Sequence, residues 1–163
     1  MSPAATAKAF MHEHWDRRVP VDVGALAQRA GAQVEGVIAI AGAEGASGSY
    51  EAGGDVPTIR YVTTEPPVRQ RFTVAHELGH HVLGHANGGE TVFRDSPSNF
   101  SRRTFDPRER EANQFAAEVL MPELALRYYV FDQGITDLAE LARRMQVSQV
   151  AMQYRLRNLG WIR

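Results

Sequence analysis

The sequence predicts an α+β fold for this chain of 163 residues. Segments rich in β-branched residues fall in the first half of the chain, and amphipathic helical segments dominate the second half. The strand segments do not alternate one by one with helices, which argues against a βαβ arrangement. With 44% hydrophobic residues the chain can fill a core without disulfides, and it contains no cysteine. We therefore expect one compact structure of the α+β class.

The N-terminal half is predicted to contain two helices followed by three strands. Apolar residues recur at helical spacing after Asp22, and Gly31 is a typical helix end. Segments with β-branched residues and loose alternation predict the strands. The expected helices span residues 4–16 and 22–30, and the expected strands span residues 34–40, 49–51 and 58–62.

The second half is predicted to be mostly helical. Two prolines, Pro66 and Pro67, end the last strand, and a helix is expected from about Val68 to His85. Residues 86–103 are polar and show no clear periodicity, which indicates a loop beside this helix. Further helices are expected over residues 107–121, 122–131, 137–145 and 148–159.

Charge and hydropathy exclude several classes of function. The 18 basic and 19 acidic residues leave a net charge of −1, so no overall field would attract DNA or an anionic membrane. No apolar segment approaches the length of a transmembrane helix, and residues 1–15 lack the apolar run of a signal peptide. We therefore expect a cytoplasmic protein without a membrane partner.

The most informative segment runs from His76 to His80 and reads H-E-x-x-H. On a helix, residues four apart point the same way from successive turns, so both imidazoles can bind one zinc ion. Glu77 lies beside them, where it can take a proton from a metal-bound water. A chance match on a polar helix is the alternative, but the apolar flanks favour a buried site helix. We expect Zn²⁺ as cofactor, His76 and His80 as metal ligands, and Glu77 as the catalytic base.

A third protein ligand must be a histidine or a carboxylate, because cysteine is absent. His85 misses the spacing of the pattern H-E-x-x-H-x-x-G-x-x-H by one residue, and on a continuing helix it would face away from His76. We therefore expect His81 and His85 to lie behind the ligands or at the surface, and not to bind the metal. Glu109 lies at the edge of an apolar helical stripe and is favoured as the ligand, although it could instead cap its helix. Glu111 is the alternative ligand.

Two segments together closely resemble the ImmA/IrrE family of bacterial zinc metallopeptidases. Segment 69–81 contains the H-E-x-x-H, and segment 109–122 reads E-x-x-A-N-x-F-A-A-E-x-L-M-P. The resemblance implies a small zincin-like domain with a short antiparallel sheet, an active-site helix and a C-terminal helical part. It also implies zinc held by His76, His80 and Glu109, a gluzincin-like set, in preference to Glu111.

The same resemblance implies a function. Members of this family typically cleave transcriptional regulators, especially helix-turn-helix repressors encoded nearby, and cleavage relieves repression in stress, phage or mobile-element responses. We therefore expect a zinc-dependent endopeptidase with a protein substrate of that kind. A donor for the oxyanion is also expected, and its candidates are Arg71, His85, Tyr128 and Tyr129.

The C-terminal residues 138–152 have the pattern of a helix-turn-helix, which predicts a metallopeptidase domain over 1–131 and a helical subdomain over 132–163. Five arginines give this end a local positive charge: Arg143, Arg144, Arg155, Arg157 and Arg163. Direct DNA contact is one interpretation. A subdomain that packs on the peptidase is favoured, because the helix from Ser148 has few polar residues that could read bases. The rival function is a DNA- or protein-binding regulator with a structural or idle metal site, which would need no general base at Glu77.

Overall fold

The computed structural model describes residues 1–86, 91–95 and 106–163. The helices of this part are α1 (Pro3–His14), α2 (Val23–Arg29), α3 (Pro67–Val82), α4 (Pro107–Leu120), α5 (Glu123–Arg127), α6 (Leu138–Met145) and α7 (Gln149–Asn158), with a π-helical turn at Tyr128–Asp132. The strands are β1 (Gln33–Val37), β2 (Ala46–Glu51), β3 (Thr58–Val62) and β4 (Thr91–Asp95). The α+β class is confirmed. Within the described ranges, no helix has the length and apolar character needed to span a membrane.

The four strands form a mixed sheet in the order β1-β3-β2-β4. β2 is antiparallel to both β3 and β4, whereas β1 is parallel to β3, with Val34 opposite Ile59. The expected antiparallel sheet is therefore corrected to a mixed one. β2 pairs with one edge of β3, so β1 can pair only with the other edge. β1 runs in the same direction as β3, which makes this pair parallel.

Strand β4 lies inside the segment 86–103 that the sequence predicts to be a loop. It pairs along β2 from Thr91 opposite Glu51 to Asp95 opposite Ala46. The backbone hydrogen bonds of this ladder do not depend on side-chain periodicity, so the polar sequence did not reveal the strand. The remainder of the predicted loop, residues 87–90 and 96–103, lies outside the described residues.

Helix α3 lies between the sheet and α4, and this packing positions the predicted site. Leu78 on α3 and Phe115 on α4 belong to one buried hydrophobic cluster with Ile59 of β3. Gly79 allows the two helices to approach closely, because a Cβ atom there would lie 3.2 Å from the Cα of Ala112. The face of α3 that carries the histidines is therefore held directly against α4.

The C-terminal helices α6 and α7 pack on the same cluster. Met145 and Met152 are fully buried in it, together with Phe115 of α4. The turn that the sequence places at Val147 and Ser148 starts one residue earlier, at Gln146, which has a left-handed φ of 52°, and Ser148 caps the start of α7. The helix-turn-helix-like subdomain and its boundary between residues 131 and 132 stay predictions, since a single hydrophobic cluster joins residues from both parts.

Arg155 is buried rather than part of the exposed basic group that the sequence suggested. Its guanidinium donates two hydrogen bonds to the carboxylate of Glu118, at 2.6 and 2.8 Å, and one to the carbonyl oxygen of Met121 at 3.0 Å. The interaction joins α7 to the C-terminal end of α4. Arg155 is therefore unavailable for contact with a DNA phosphate.

Candidate metal centre

Helix α3 places three residues of the H-E-x-x-H motif in the interior. His76 is 1% exposed, and Glu77 and His80 are fully buried. Pro67 starts the helix, where a missing backbone N–H costs nothing, and the helix then runs without interruption to Val82. The i, i+4 spacing brings the Nε2 atoms of the two histidines to 3.1 Å from each other.

Helix α4 adds Glu109 to this pair. One carboxylate oxygen of Glu109 lies 3.1 Å from Nε2 of His76, and the other lies 3.2 Å from Nε2 of His80. Each of the three residues offers one ligand atom, and these three atoms all lie within 4.8 Å of one another. The cap of α4 is the side chain of Asp106, which accepts from the backbone N–H of Arg108. The carboxylate of Glu109 is therefore not used as the cap, and it faces the histidines.

The donor set fits a zinc ion. Two imidazole nitrogens and a carboxylate oxygen are ligands that zinc takes in catalytic sites, with a fourth position left for water. Burial alone would raise the pKa of the Glu109 carboxyl, but hydrogen bonding and charge from His76 and His80 outweigh burial and hold that pKa well below its usual range. Glu109 is therefore ionised at neutral pH, which is the form that a metal ion binds.

Glu111 points away from this point of convergence. Its carboxylate lies 2.9 Å from Nε2 of His85, and its side chain is 45% exposed. Residues 109 and 111 are about 200° apart around a helix, which explains why only Glu109 reaches the two motif histidines. The geometry therefore favours Glu109 over Glu111 as a ligand.

His85 does not face away from the site, as counting along a continuing helix suggested. Helix α3 ends at Val82, and Gly84 takes a left-handed φ of 70°, so the chain turns back. The backbone N–H of His85 donates to the carbonyl oxygen of His80, and the Nδ1 atoms of these two residues lie 2.9 Å apart. Burial lowers the pKa of His85, although its hydrogen bond to Glu111 acts in the opposite direction.

Asn113 is a site residue that the sequence reasoning missed. Its Oδ1 atom lies 2.8 Å from Nδ1 of His76. An amide oxygen can only accept, so Nδ1 of His76 is the donor, and in a neutral His76 the Nε2 atom then carries the lone pair that a metal ion would bind. Asn113 lies one helical turn after Glu109, and this i, i+4 relation is the signal that would have found it.

Strand β2 also contributes to the site, at a position that local sequence does not reveal. A Cβ atom on Gly48 would lie 2.3 Å from Cγ2 of Thr73 and 3.3 Å from an oxygen of Glu77. Only glycine lets this central strand lie so close to the carboxylate of the motif. The strand forms one wall around Glu77.

Each of the four candidates for an oxyanion donor makes another contact in the structure. Arg71 donates to the carbonyl oxygen of Gln146 at 3.3 Å, near the C-terminal end of α6. The ring of Tyr129 lies under the guanidinium of Arg144, 5.0 Å from the ring centre, and meets the ring of Tyr128 edge to face. His85, the fourth candidate, contacts Nδ1 of His80 through its own Nδ1 atom. His81, which was expected to be no ligand, accepts from Tyr50 and donates to the carbonyl of Ala30.

A known protein family matches most of this chain. The family model of the IrrE N-terminal-like domain, peptidase family M78, matches residues 37–157. The chain belongs to this family. Among M78 relatives, the radiation response metalloprotease IrrE of Deinococcus radiodurans is 38% identical over 93 residues, which are 55% of this chain and 27% of that protein.

A solved structure shares the fold. A transcriptional regulator of Mycobacterium tuberculosis superposes with a TM-score of 0.65 at 18% identity, over 94% of this chain and 46% of that one. At this identity the likeness concerns the fold alone. This chain thus spans about a quarter of the length of IrrE and about half of the length of the regulator.

The proposed ligand set predicts which of three variants of this M78 chain loses the most zinc affinity. Glu109→Ala removes one of three proposed ligands, so we expect zinc affinity to fall by more than about 100-fold, the upper range for loss of an outer partner. Glu111→Ala should have a smaller effect, and Gln114→Ala, an exposed change on the same helix, should have none. Competition with a chromogenic chelator measures all three affinities. A larger loss for Glu111→Ala than for Glu109→Ala would assign the ligand to Glu111.

Proposed function

We propose that this chain is a zinc-dependent endopeptidase. The observation that carries the proposal is the convergence of Glu109 from α4 with His76 and His80 from α3, with Glu77 buried beside them. Membership of the M78 peptidase family supports it. The 38% identity over 93 residues to a radiation response metalloprotease points the same way.

The proposed mechanism divides the work between the metal and the protein. Bound zinc would polarise the scissile carbonyl and lower the pKa of a water molecule. His76, His80 and Glu109 would hold the ion through two imidazole nitrogens and a carboxylate oxygen. Glu77 takes the water proton on its carboxylate and later delivers it to the leaving amine, acting first as base and then as acid. The buried surroundings of Glu77 exclude bulk water and strengthen these electrostatic interactions.

The proposed substrate is a transcriptional regulator, in particular a helix-turn-helix repressor encoded nearby. The family resemblance of segments 69–81 and 109–122 supports this choice. The name of the Deinococcus radiodurans relative refers to a radiation response, and the structural relative is called a transcriptional regulator. We infer that cleavage by this chain relieves repression in a stress, phage or mobile-element response.

The rival function is a DNA- or protein-binding regulator with a structural metal site, and two observations disfavour it. Arg155, one of the arginines that DNA contact would use, is buried against Glu118. Glu77 is buried beside the ligands, although a structural zinc site has no use for a general base. A salt-dependent shift of duplex DNA that is lost in Arg157→Ala would favour the rival.

Coexpression tests the proposed function. The chain is produced together with the helix-turn-helix repressor encoded nearest to it, before and after a stress, and the repressor is followed by mass spectrometry. We expect one cut that a chelator abolishes and added zinc restores. Glu109→Ala serves as the metal-binding control, and it should leave the repressor intact. A cut that continues in the chelator, or a repressor that stays intact with the zinc-loaded wild type, would contradict the proposal.

A further inference from the structure

Helix α4 contacts the two motif histidines at more points than the proposed ligand requires. Glu109 faces both Nε2 atoms, and Asn113, one turn later, contacts Nδ1 of His76. Between them, Glu111 reaches outward to His85, which in turn contacts Nδ1 of His80. Each motif histidine therefore has a partner on the ring nitrogen that points away from the proposed metal.

The chain of contacts from Glu111 to His80 has one consistent direction. An ionised carboxylate only accepts, so Nε2 of His85 must donate to Glu111. A neutral imidazole carries a single N–H, so Nδ1 of His85 is then an acceptor. It follows that Nδ1 of His80 donates to His85, and Nε2 of His80 presents its lone pair to the site.

We propose that His85 and Glu111 are positioning residues that fix the tautomer and the ring orientation of His80 for metal binding. This inference rests on the proposed metal centre and deepens it. His85 acts through His80 and touches no reacting atom. The arrangement is the histidine–carboxylate support that outer groups give to metal ligands, assembled here from the turn after α3 and from α4.

The backbone around His85 holds the proposed relay in place. The turn at Gly84 lets the backbone N–H of His85 donate to the carbonyl oxygen of His80 at 2.9 Å. The carbonyl oxygen of His85 accepts from the guanidinium of Arg108 at 3.2 Å, and Arg108 is itself paired with Asp106 at the start of α4. The backbone N–H and the carbonyl oxygen of His85 are thus both held by residues of the helices that carry the proposed ligands.

A role in packing alone makes a different prediction from a role in positioning. If His85 only filled space, then leucine, which has a similar volume, would serve as well. If it positions His80, a replacement must offer one acceptor and one donor. Glutamine does so, because its amide oxygen can accept from His80 while its amide nitrogen donates to Glu111.

Zinc affinity is the first readout. We expect His85→Leu to bind zinc about 10- to 100-fold more weakly than the wild type, the usual cost of losing an outer partner. His85→Gln should recover most of that loss. Glu111→Leu, at a side chain that is 45% exposed, should also weaken zinc binding. Gln114→Leu is the matched control on the exposed face of α4 and should bind zinc as the wild type does.

The second readout is the imidazole N–H proton of each motif histidine in the zinc-loaded, ¹⁵N-labelled protein. We expect slowly exchanging Nδ1–H protons on His76 and His80 in the wild type. His85→Leu should accelerate exchange of the His80 proton only, because the His76 proton is bonded to Asn113. A role in packing alone would not separate the two histidines.

The outcomes distinguish the relay from the metal centre on which it rests. Unchanged zinc affinity in both His85→Leu and Glu111→Leu, with an unchanged His80 proton, would overturn the relay and leave the metal centre standing. Failure of the wild type to bind zinc would overturn the metal centre and the relay together. Weaker binding in both variants with recovery in His85→Gln supports the relay.

Discussion

Replacing Glu77 with glutamine is expected to lower the rate of peptide cleavage by about a hundredfold to ten-thousandfold, the contribution of a general base. Glutamine keeps the shape of the side chain but cannot take up a proton from water. Glu77 is fully buried, and strand β2 approaches it closely at Gly48, so an isosteric residue suits this position best. Zinc binding should persist, since Glu77 is not one of the proposed ligands.

Three measurements check this prediction. Single-turnover cleavage of the repressor gives the rate, and zinc content and thermal unfolding show whether the variant keeps its metal and its fold. Glu65→Gln is a matched control, because Glu65 is a second carboxylate that contacts β2, through Ser47 Oγ at 2.7 Å, without lying in the motif. It should cleave at the wild-type rate. If Glu77→Gln cleaved the repressor at the rate of the control, Glu77 would not be the general base. The rival function, with a structural or idle metal site, would then be favoured.

Local periodicity was enough to predict where the site helix lies. The expected helix from about Val68 to His85 corresponds to α3 over Pro67–Val82. The α+β class followed from the order of the segments. Glu109 was favoured because a carboxylate at the edge of an apolar stripe needs a partner, and the structure brings it to the histidines of α3. These inferences depend on relations within one helix or between amphipathic faces.

Relations between segments distant in sequence were not predictable in the same way. Alternation indicates which face of a strand is buried, but it does not name the neighbouring strand, so the parallel pairing of β1 with β3 was missed. The direction in which His85 points was misjudged for a local reason. Gly84 ends α3 and reverses the chain, and a glycine after a helix is a recognised sign of such an end.

Arg155 shows the same limit for a single side chain. Arginine is usually exposed, so the sequence grouped it with the other arginines of the C-terminal end. Its burial depends on Glu118, which lies 37 positions earlier in the chain and is brought to it by the packing of α7 on α4. Helix α4 thereby joins the proposed metal centre, at Glu109, to the C-terminal helices.

Arg155→Met is expected to lower the free energy of unfolding by about 3–5 kcal/mol, the usual cost of breaking a buried ion pair by removing one partner. The carboxylate of Glu118 would remain buried without its counter-ion, and the carbonyl oxygen of Met121 would lose a donor. A loss of this size is a large part of the stability of an ordinary domain. Urea unfolding followed by circular dichroism measures it, with zinc held at a fixed concentration in every sample.

Two further variants decide whether the loss comes from the broken pair. Arg157→Met changes an exposed arginine on the same helix and should alter the free energy of unfolding by no more than about 0.5 kcal/mol. The double variant Glu118→Leu/Arg155→Met removes both charges, so it should recover much of the stability lost by Arg155→Met alone. Equal losses in the single and double variants would attribute the effect to packing. A loss in Arg155→Met no larger than that in Arg157→Met would show that the pair does not hold α7 on α4, and the C-terminal arginines would again be candidates for contact with a partner.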